Sequence, residues 1–251
     1  MKKNNKTLPT IGSWITLNHP SIVEIMSDFG FDWLCVDLEH SVIDYYQAQL
    51  LISTIQSKGI KAYVRVGENN DRIIKRVLDA GADGIIVPMI KNKDDALKVV
   101  SSVKYPPKGR RGVGLARAQK YGFGFEKYKN SVADRIKIIL QIEHIDAIKN
   151  LDEILKIDGV DGSFIGPYDL SGSMGKPGRF NDSDVIEIVK KYEEIAKKYD
   201  KYIGYHVIQP DYKLVLDKIK SGYNFIAFSL DTLFLGTLIK TQMQLLNNNR
   251  K

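Results

Sequence analysis

The chain has 251 residues, 43% of them apolar, enough for a large core in one domain of α/β-barrel size. Its 37 Lys and Arg against 30 Asp and Glu give a net charge of +7, yet Lys75, Lys98, Lys149, Lys190, Lys197 and Lys198 are scattered among acids, which speaks against a nucleic-acid partner. The single cysteine, Cys35, rules out an internal disulfide, and no long apolar run follows the basic start (residues 1–6) or occurs elsewhere, so the expectation is a cytoplasmic chain with no membrane partner.

Taken in chain order, apolar runs predict strands near 11–17, 33–38, 61–66, 84–89, 137–143, 162–166, 202–207 and 225–230. Between them lie segments with helical spacing, for example Ile73, Val77 and Leu78, or Val185, Ile188, Val189 and Ile195. A short signature recurs where helix passes into strand: Gly30-Phe31-Asp32-Trp33, Gly81-Ala82-Asp83-Gly84, Gly159-Val160-Asp161-Gly162 and Gly222-Tyr223-Asn224-Phe225. Glycine ends the helix in the left-handed conformation and the short polar residue turns the chain into the next strand. Four such joints, with another strand between each, make eight parallel strands buried on both faces. The expected fold is a (β/α)8 TIM barrel, one domain over residues 1–251, with chemistry at the C-terminal strand ends. The stretch 104–133 breaks the rhythm and is expected to be a lid or a subunit contact. The apolar helix from Asp231 to Leu246 caps this barrel or packs on a neighbouring subunit.

Charged residues fall where those strands end: Asp37 and His40 after the second, Arg65 after the third, Glu143 after the fifth and Asp169 after the sixth. Placing acids, a base and an arginine after apolar strands is costly for folding, so a functional reason is expected. Glu143 and Asp169 come from adjacent strands, and two hard oxygen ligands with open positions suit a divalent metal such as Mg²⁺, Mn²⁺ or Co²⁺. Arg65 beside them points to an anionic substrate. His40 lies three residues beyond Asp37, a carboxylate able to orient an imidazole as general base, whereas strand alternation puts Glu39 on the other side. Gln141 alternates with Glu143 and should face the interior, and Trp14 can wall the pocket. His206 has either a structural or a substrate-contact role. The structural alternatives are helix caps for the carboxylates and His40, a salt bridge for Arg65 and plain core for Trp14.

These segments resemble the HpcH/HpaI aldolase family. The resemblance is carried by Phe31 to His40, Val64-Arg65, Leu78-Asp79-Ala80-Gly81-Ala82, Val87-Pro88-Met89, Tyr105-Pro106-Pro107 with Gly109-Arg110-Arg111-Gly112, Gln141-Ile142-Glu143 and Phe164 to Ser171. It runs in order from Gly12 to about Leu235. It implies a class II pyruvate aldolase that cleaves or forms 2-keto-4-hydroxy acids, giving pyruvate and an aldehyde through a metal-stabilised enolate. Glu143 and Asp169 are implied as metal ligands, Arg65 as the cation at the developing oxyanion, and His40 with Asp37 as the base. Ser171 is expected to contact substrate beside Arg65, Gln141 and Trp14. The resemblance also implies that Asp79, on the wrong side of its own barrel, reaches a neighbour's site in a homo-oligomer, a trimer or hexamer. Tyr168 and the strand-seven exit Tyr205-His206-Val207-Ile208-Gln209-Pro210 are bulkier than the family pattern and leave the aldehyde open. Two other readings remain open on these residues: a barrel lyase acting on acyl-CoA or oxaloacetate, decarboxylases included, and a non-catalytic anion-binding subunit.

Overall fold

A computed structural model describes residues 8–250, so the basic N-terminal start and Lys251 lie outside the described residues. The four joints do more than turn the chain. Gly30, Gly81, Gly159 and Gly222 all have positive φ, and the Asp or Asn that follows each reaches back to the preceding strand. Asp32 accepts from the Ile11 amide (2.7 Å), Asp83 from Ala62 (3.0 Å), Asp161 from Ile138 (2.9 Å) and Asn224 from Ile203 (2.7 Å). Each joint thus ties the entry of one strand to its predecessor, four times around the ring.

The strands are β1 (Thr10–Ile15), β2 (Trp33–Asp37), β3 (Lys61–Arg65), β4 (Gly84–Val87), β5 (Lys137–Ile142), β6 (Gly162–Ile165), β7 (Tyr202–Val207) and β8 (Phe225–Leu230). All neighbours are parallel, and β8 pairs with β1, closing the barrel in sequence order as the sequence predicts. The longer helices are α1 (Pro20–Ser27), α2 (Tyr45–Ser57), α3 (Asp71–Asp79), α4 (Lys93–Val103), α9 (Ser183–Ala196), α10 (Tyr212–Lys220) and α11 (Asp231–Asn249). Shorter ones are α5 (Phe125–Lys127), α6 (Ile145–Lys149), α7 (Leu151–Leu155) and α8 (Pro167–Ser173). His19 and His144 are helix N-caps, accepting from the Ser21 and Asp146 amides.

Inside the ring, Trp33 stacks on Phe225 with centroids 4.3 Å apart, and Tyr63, Cys35, Ile86, Ile139 and Phe164 fill the remaining interior. Gly12 makes room for this plug, because a Cβ there would sit 1.9 Å from the Trp33 ring. This plug fills the lower barrel interior, and the strand exits lie at the opposite end, where a barrel of this kind carries its ligand site.

The stretch 104–133 packs on α3 and the strand entries. Arg111, fully buried, pairs with Asp79 at the C-terminal end of α3 (2.7 Å) and donates to the Tyr128 hydroxyl. Arg117 donates to Gln56 and to the Ala80 carbonyl. Within one chain this stretch is a clasp at the barrel's lower end and does not cover the strand exits.

Candidate active site

A cavity of about 430 Å³ opens at the strand exits, lined by Trp14, Arg65, Gln141, Glu143, Asp169, His206 and the apolar Phe164, Tyr168, Phe180, Ile208 and Leu214. Five of the residues expected at the site therefore surround one space, brought there from β1, β3, β5 and the turn into α8.

Arg65 is the hub. It is the register partner of Asp37 across β2 and β3, so the guanidinium meets the carboxylate side by side: Nε to Oδ1 is 2.8 Å and Nη2 to Oδ2 is 2.6 Å. Its guanidinium carbon lies 4.4 Å from the Trp14 ring centroid, and Nη1 is 3.3 Å from Glu39 Oε2. Burial pushes the Asp37 carboxyl up, but the hydrogen bonds and charge of Arg65 more than offset it, and the net direction is down. A bidentate pair of this kind fixes the cation's plane as well as its position.

Two expectations about the second strand exit are corrected. Asp37 does not orient the His40 imidazole: besides Arg65, its Oδ1 accepts from the Glu39 and His40 amides (3.0 and 3.3 Å). The His40 ring is 68% exposed and stands with Nε2 3.7 Å from Glu39 Oε2. Glu39 does not point away. β2 ends at Asp37, the two-residue alternation ends with it, and the following turn swings Glu39 against Arg65. Burial, reinforced by Asp37 and Asp169 and opposed by Arg65, pushes the Glu39 carboxyl up to about 7.

Glu143 follows the end of β5 and is 5% exposed. It accepts from the Gln141 amide and from the Met89 backbone N–H (3.2 Å). Met89 holds φ at +56°, an unusual conformation for a non-glycine residue, just past the end of β4. Gly166 lets the carboxylate approach the β6 exit, since a Cβ there would lie 2.8 Å from Glu143 Cγ and Oε1. Burial, with the neighbouring Glu39 and Asp169 charges, pushes the Glu143 carboxyl up to about 7, against the opposing effect of the Met89 N–H and Gln141. Asp169 sits in the first turn of α8, behind Pro167.

Within this cluster Glu39, Glu143 and Asp169 repel one another, and buried Gln141 Oε1 has no hydrogen-bond partner. Among the described residues no three His, Cys, Asp or Glu side chains converge on one point. Two hard carboxylates on one cavity, Glu143 and Asp169, would fit a divalent cation whose remaining positions go to water or substrate.

Ser171 is corrected as a substrate contact. It is fully buried, donates to the Tyr168 carbonyl (2.7 Å) and accepts from the Gly178 amide (3.0 Å), so its hydroxyl is spent on holding the loop behind the cavity. Asp79 lies at the other end of its own barrel, held by Arg111 and by Gln119 at 3.4 Å. Glu39 is the residue that sequence reasoning missed, although its place between Asp37 and His40 offered a signal.

Comparison with known proteins agrees with this architecture. The HpcH/HpaI aldolase/citrate lyase family model matches residues 10–235. The 2-keto-3-deoxy-L-rhamnonate aldolase of Escherichia coli O17:K52:H18 (strain UMN026 / ExPEC) is 33% identical over 245 residues, covering 96% of this chain and 90% of that protein. Among solved structures, an HpcH/HpaI aldolase/citrate lyase family protein from Burkholderia cenocepacia J2315 superposes with a TM-score of 0.88 at 28% identity, covering 98% of this chain and 96% of the other. An HpcH/HpaI aldolase from Desulfitobacterium hafniense DCB-2 does so with 0.87 at 27% identity, covering 98% and 95%. With its barrel, strand-exit cavity and nearly full-length match, the chain belongs to the HpcH/HpaI aldolase/citrate lyase family.

Proposed function

We propose that this protein is a metal-dependent class II pyruvate aldolase acting on 2-keto-4-hydroxy acids. The observation that carries the reading is the strand-exit cavity that gathers Arg65, Glu143 and Asp169, with Glu39 against Arg65 and the exposed His40 beside it. Glu143 and Asp169 would hold the divalent cation, Mg²⁺, Mn²⁺ or Co²⁺, which when bound supplies Lewis acidity at the keto group. His40, paired with Glu39 where Asp37 had been expected, takes the proton from the substrate's 4-hydroxyl. The C3–C4 bond then breaks, its electron pair passes to the pyruvate half as an enolate, and the aldehyde leaves. Arg65, fixed by Asp37, offers a preorganised positive charge to the enolate oxygen. Return of a proton to C3 completes pyruvate. The bulky walls at Tyr168 and Ile208 bound the aldehyde side. The lone cysteine suits this chemistry to the cytoplasm.

A panel of 2-keto-4-hydroxy acids, with pyruvate release read by coupled reduction to lactate, tests the function. Cleavage of at least one, abolished by chelation, is expected; no cleavage across the panel by folded, metal-loaded protein contradicts it. In the same assay His40→Ala should slow cleavage by about 10²–10⁴-fold, the usual worth of a general base, while pyruvate inhibits at an unchanged concentration. Equal losses in both would make His40 structural.

We further propose a homo-oligomer built through α11. Asp231 anchors the helix by accepting from Thr16 and Leu17 at the β1 exit (2.6–2.8 Å). Beyond the first turns it projects from the barrel with Leu235, Leu238, Ile239, Met243 and Leu246 exposed along one stripe. A second copy of the chain carries the matching stripe. Light scattering should give a mass above the monomer's, and Leu238→Glu with Met243→Glu should reduce it to the monomer. If Asp79 serves a neighbouring copy, as the family resemblance implies, that disassembly removes activity too. A wild-type monomer would refute the assembly.

A further inference from the structure

At the exit of β7, His206 and Gln209 bring polar groups to the cavity. The His206 ring centroid lies 5.7 Å from that of Trp14. Nε2 lies 3.2 Å from the carbonyl oxygen of Ser229. A carbonyl can only accept, so Nε2 carries the proton and the tautomer is set. Ser229 holds φ at +52° near the end of β8, and its carbonyl also accepts from Ser13 Oγ (3.3 Å), so this anchor is held on both sides. Burial, helped by the Arg65 charge and only partly opposed by the Ser229 bond and Asp37, pushes the imidazole down to about 4, and the ring is neutral at physiological pH. Nδ1 then carries a lone pair and makes no hydrogen bond within the described chain. The same cavity wall carries the largely apolar surfaces of Tyr168, Phe180, Ile208 and Leu214, with Gln209 and Lys218 as further polar groups.

We infer that His206 is a specificity-determining residue whose Nδ1 accepts a hydrogen bond from a hydroxyl of the aldehyde partner, so that the protein prefers hydroxyaldehydes to their deoxy analogues. This rests on the aldolase reading above and deepens it. An acceptor set in a largely apolar wall rewards a ligand that brings a donor and is left unpaired by one that does not. The corresponding substrates are 2-keto acids with hydroxyls on C4 and on the carbon beyond it.

Glycolaldehyde and acetaldehyde differ by that one hydroxyl and are the probes. Pyruvate addition to each is measured as kcat/KM for the wild type, His206→Leu and His206→Asn. The wild type should favour glycolaldehyde by about 10-fold, the scale of one hydrogen bond with its unpaired alternative. His206→Leu should erase the ratio, and His206→Asn, which keeps an acceptor, should retain part of it. A wild-type ratio near one, or a ratio unchanged in His206→Leu, overturns the assignment. Should one variant fail to fold, the other decides: a full ratio in Leu or none in Asn counts against it. Proton exchange of pyruvate alone by the wild type separates this from the broader reading, since its absence removes the aldolase chemistry and its presence with a flat ratio removes only the role of His206.

Discussion

Arg65→Met should lower kcat/KM by about 10³-fold, the upper range for losing one preorganised oxyanion donor, and folding free energy by about 3–5 kcal/mol, the usual cost of stranding a buried charge. Both effects have one cause in the geometry. Asp37 is only 2% exposed and its charge is compensated by the two guanidinium hydrogen bonds, so removing Arg65 leaves the carboxylate buried without its partner. Asp37→Asn combined with Arg65→Met should recover much of the stability and none of the activity. Arg65→Lys restores a charge without the planar fork and should fall between. Denaturant titration and steady-state kinetics on the four proteins separate the two roles. A single Met variant as stable as the wild type would show that Asp37 does not need Arg65, and a double variant that regains turnover would remove Arg65 from the chemistry.

Glu143→Gln should abolish metal-dependent activity while making the metal-free protein more stable above neutral pH. Glu143 rises from an ordinary 4.5 to about 7 on folding. Between those values the folded chain binds more protons than the unfolded one, so stability falls as pH rises through this window and the deficit persists above it. At 1.36 kcal/mol per pKa unit the penalty is of order 3 kcal/mol, relieved by a neutral amide. The substitution has room to be satisfied: the Met89 N–H keeps the carbonyl, and a rotated Gln141 can turn its unpaired Oε1 to the new NH₂. In chelator at pH 8 the variant's Tm should exceed the wild type's by several degrees, about 2–4 °C per kcal/mol, and the gap should vanish near pH 4.5. Added Mg²⁺ should raise the wild type's Tm and leave the variant's unmoved. A variant less stable than the wild type at pH 8 in chelator would show that the carboxylate is not strained there.

The barrel was readable because its rules are local. Apolar runs of four to six residues and four Gly-x-Asp/Asn joints carry both strand positions and their order, and the joints proved to be hydrogen-bonded ties between consecutive strands. The strand exits were readable for the same reason, since Arg65, Gln141 and Glu143 inherit their direction from β3 and β5. Where strand geometry stopped, so did the inference. Glu39 and His40 lie in a turn after β2, and alternation carried past Asp37 turned Glu39 away from Arg65, which it in fact meets. Ser171 shows another limit, because a hydroxyl's partners depend on the path of the 166–178 loop, which the sequence does not spell out. The left-handed Met89 and Ser229, which aim an amide at Glu143 and a carbonyl at His206, carry no glycine to announce them.

The most direct test of the central claim is exchange of the pyruvate methyl protons in D₂O, followed by NMR with Mg²⁺ and again after chelation. It needs no aldehyde and reads enolisation at the cluster of Arg65, Glu143 and Asp169. Exchange with metal that stops on chelation and is absent in Glu143→Gln is the expected result. No exchange by folded, metal-loaded protein, or exchange that survives full chelation, would contradict a metal-dependent pyruvate aldolase.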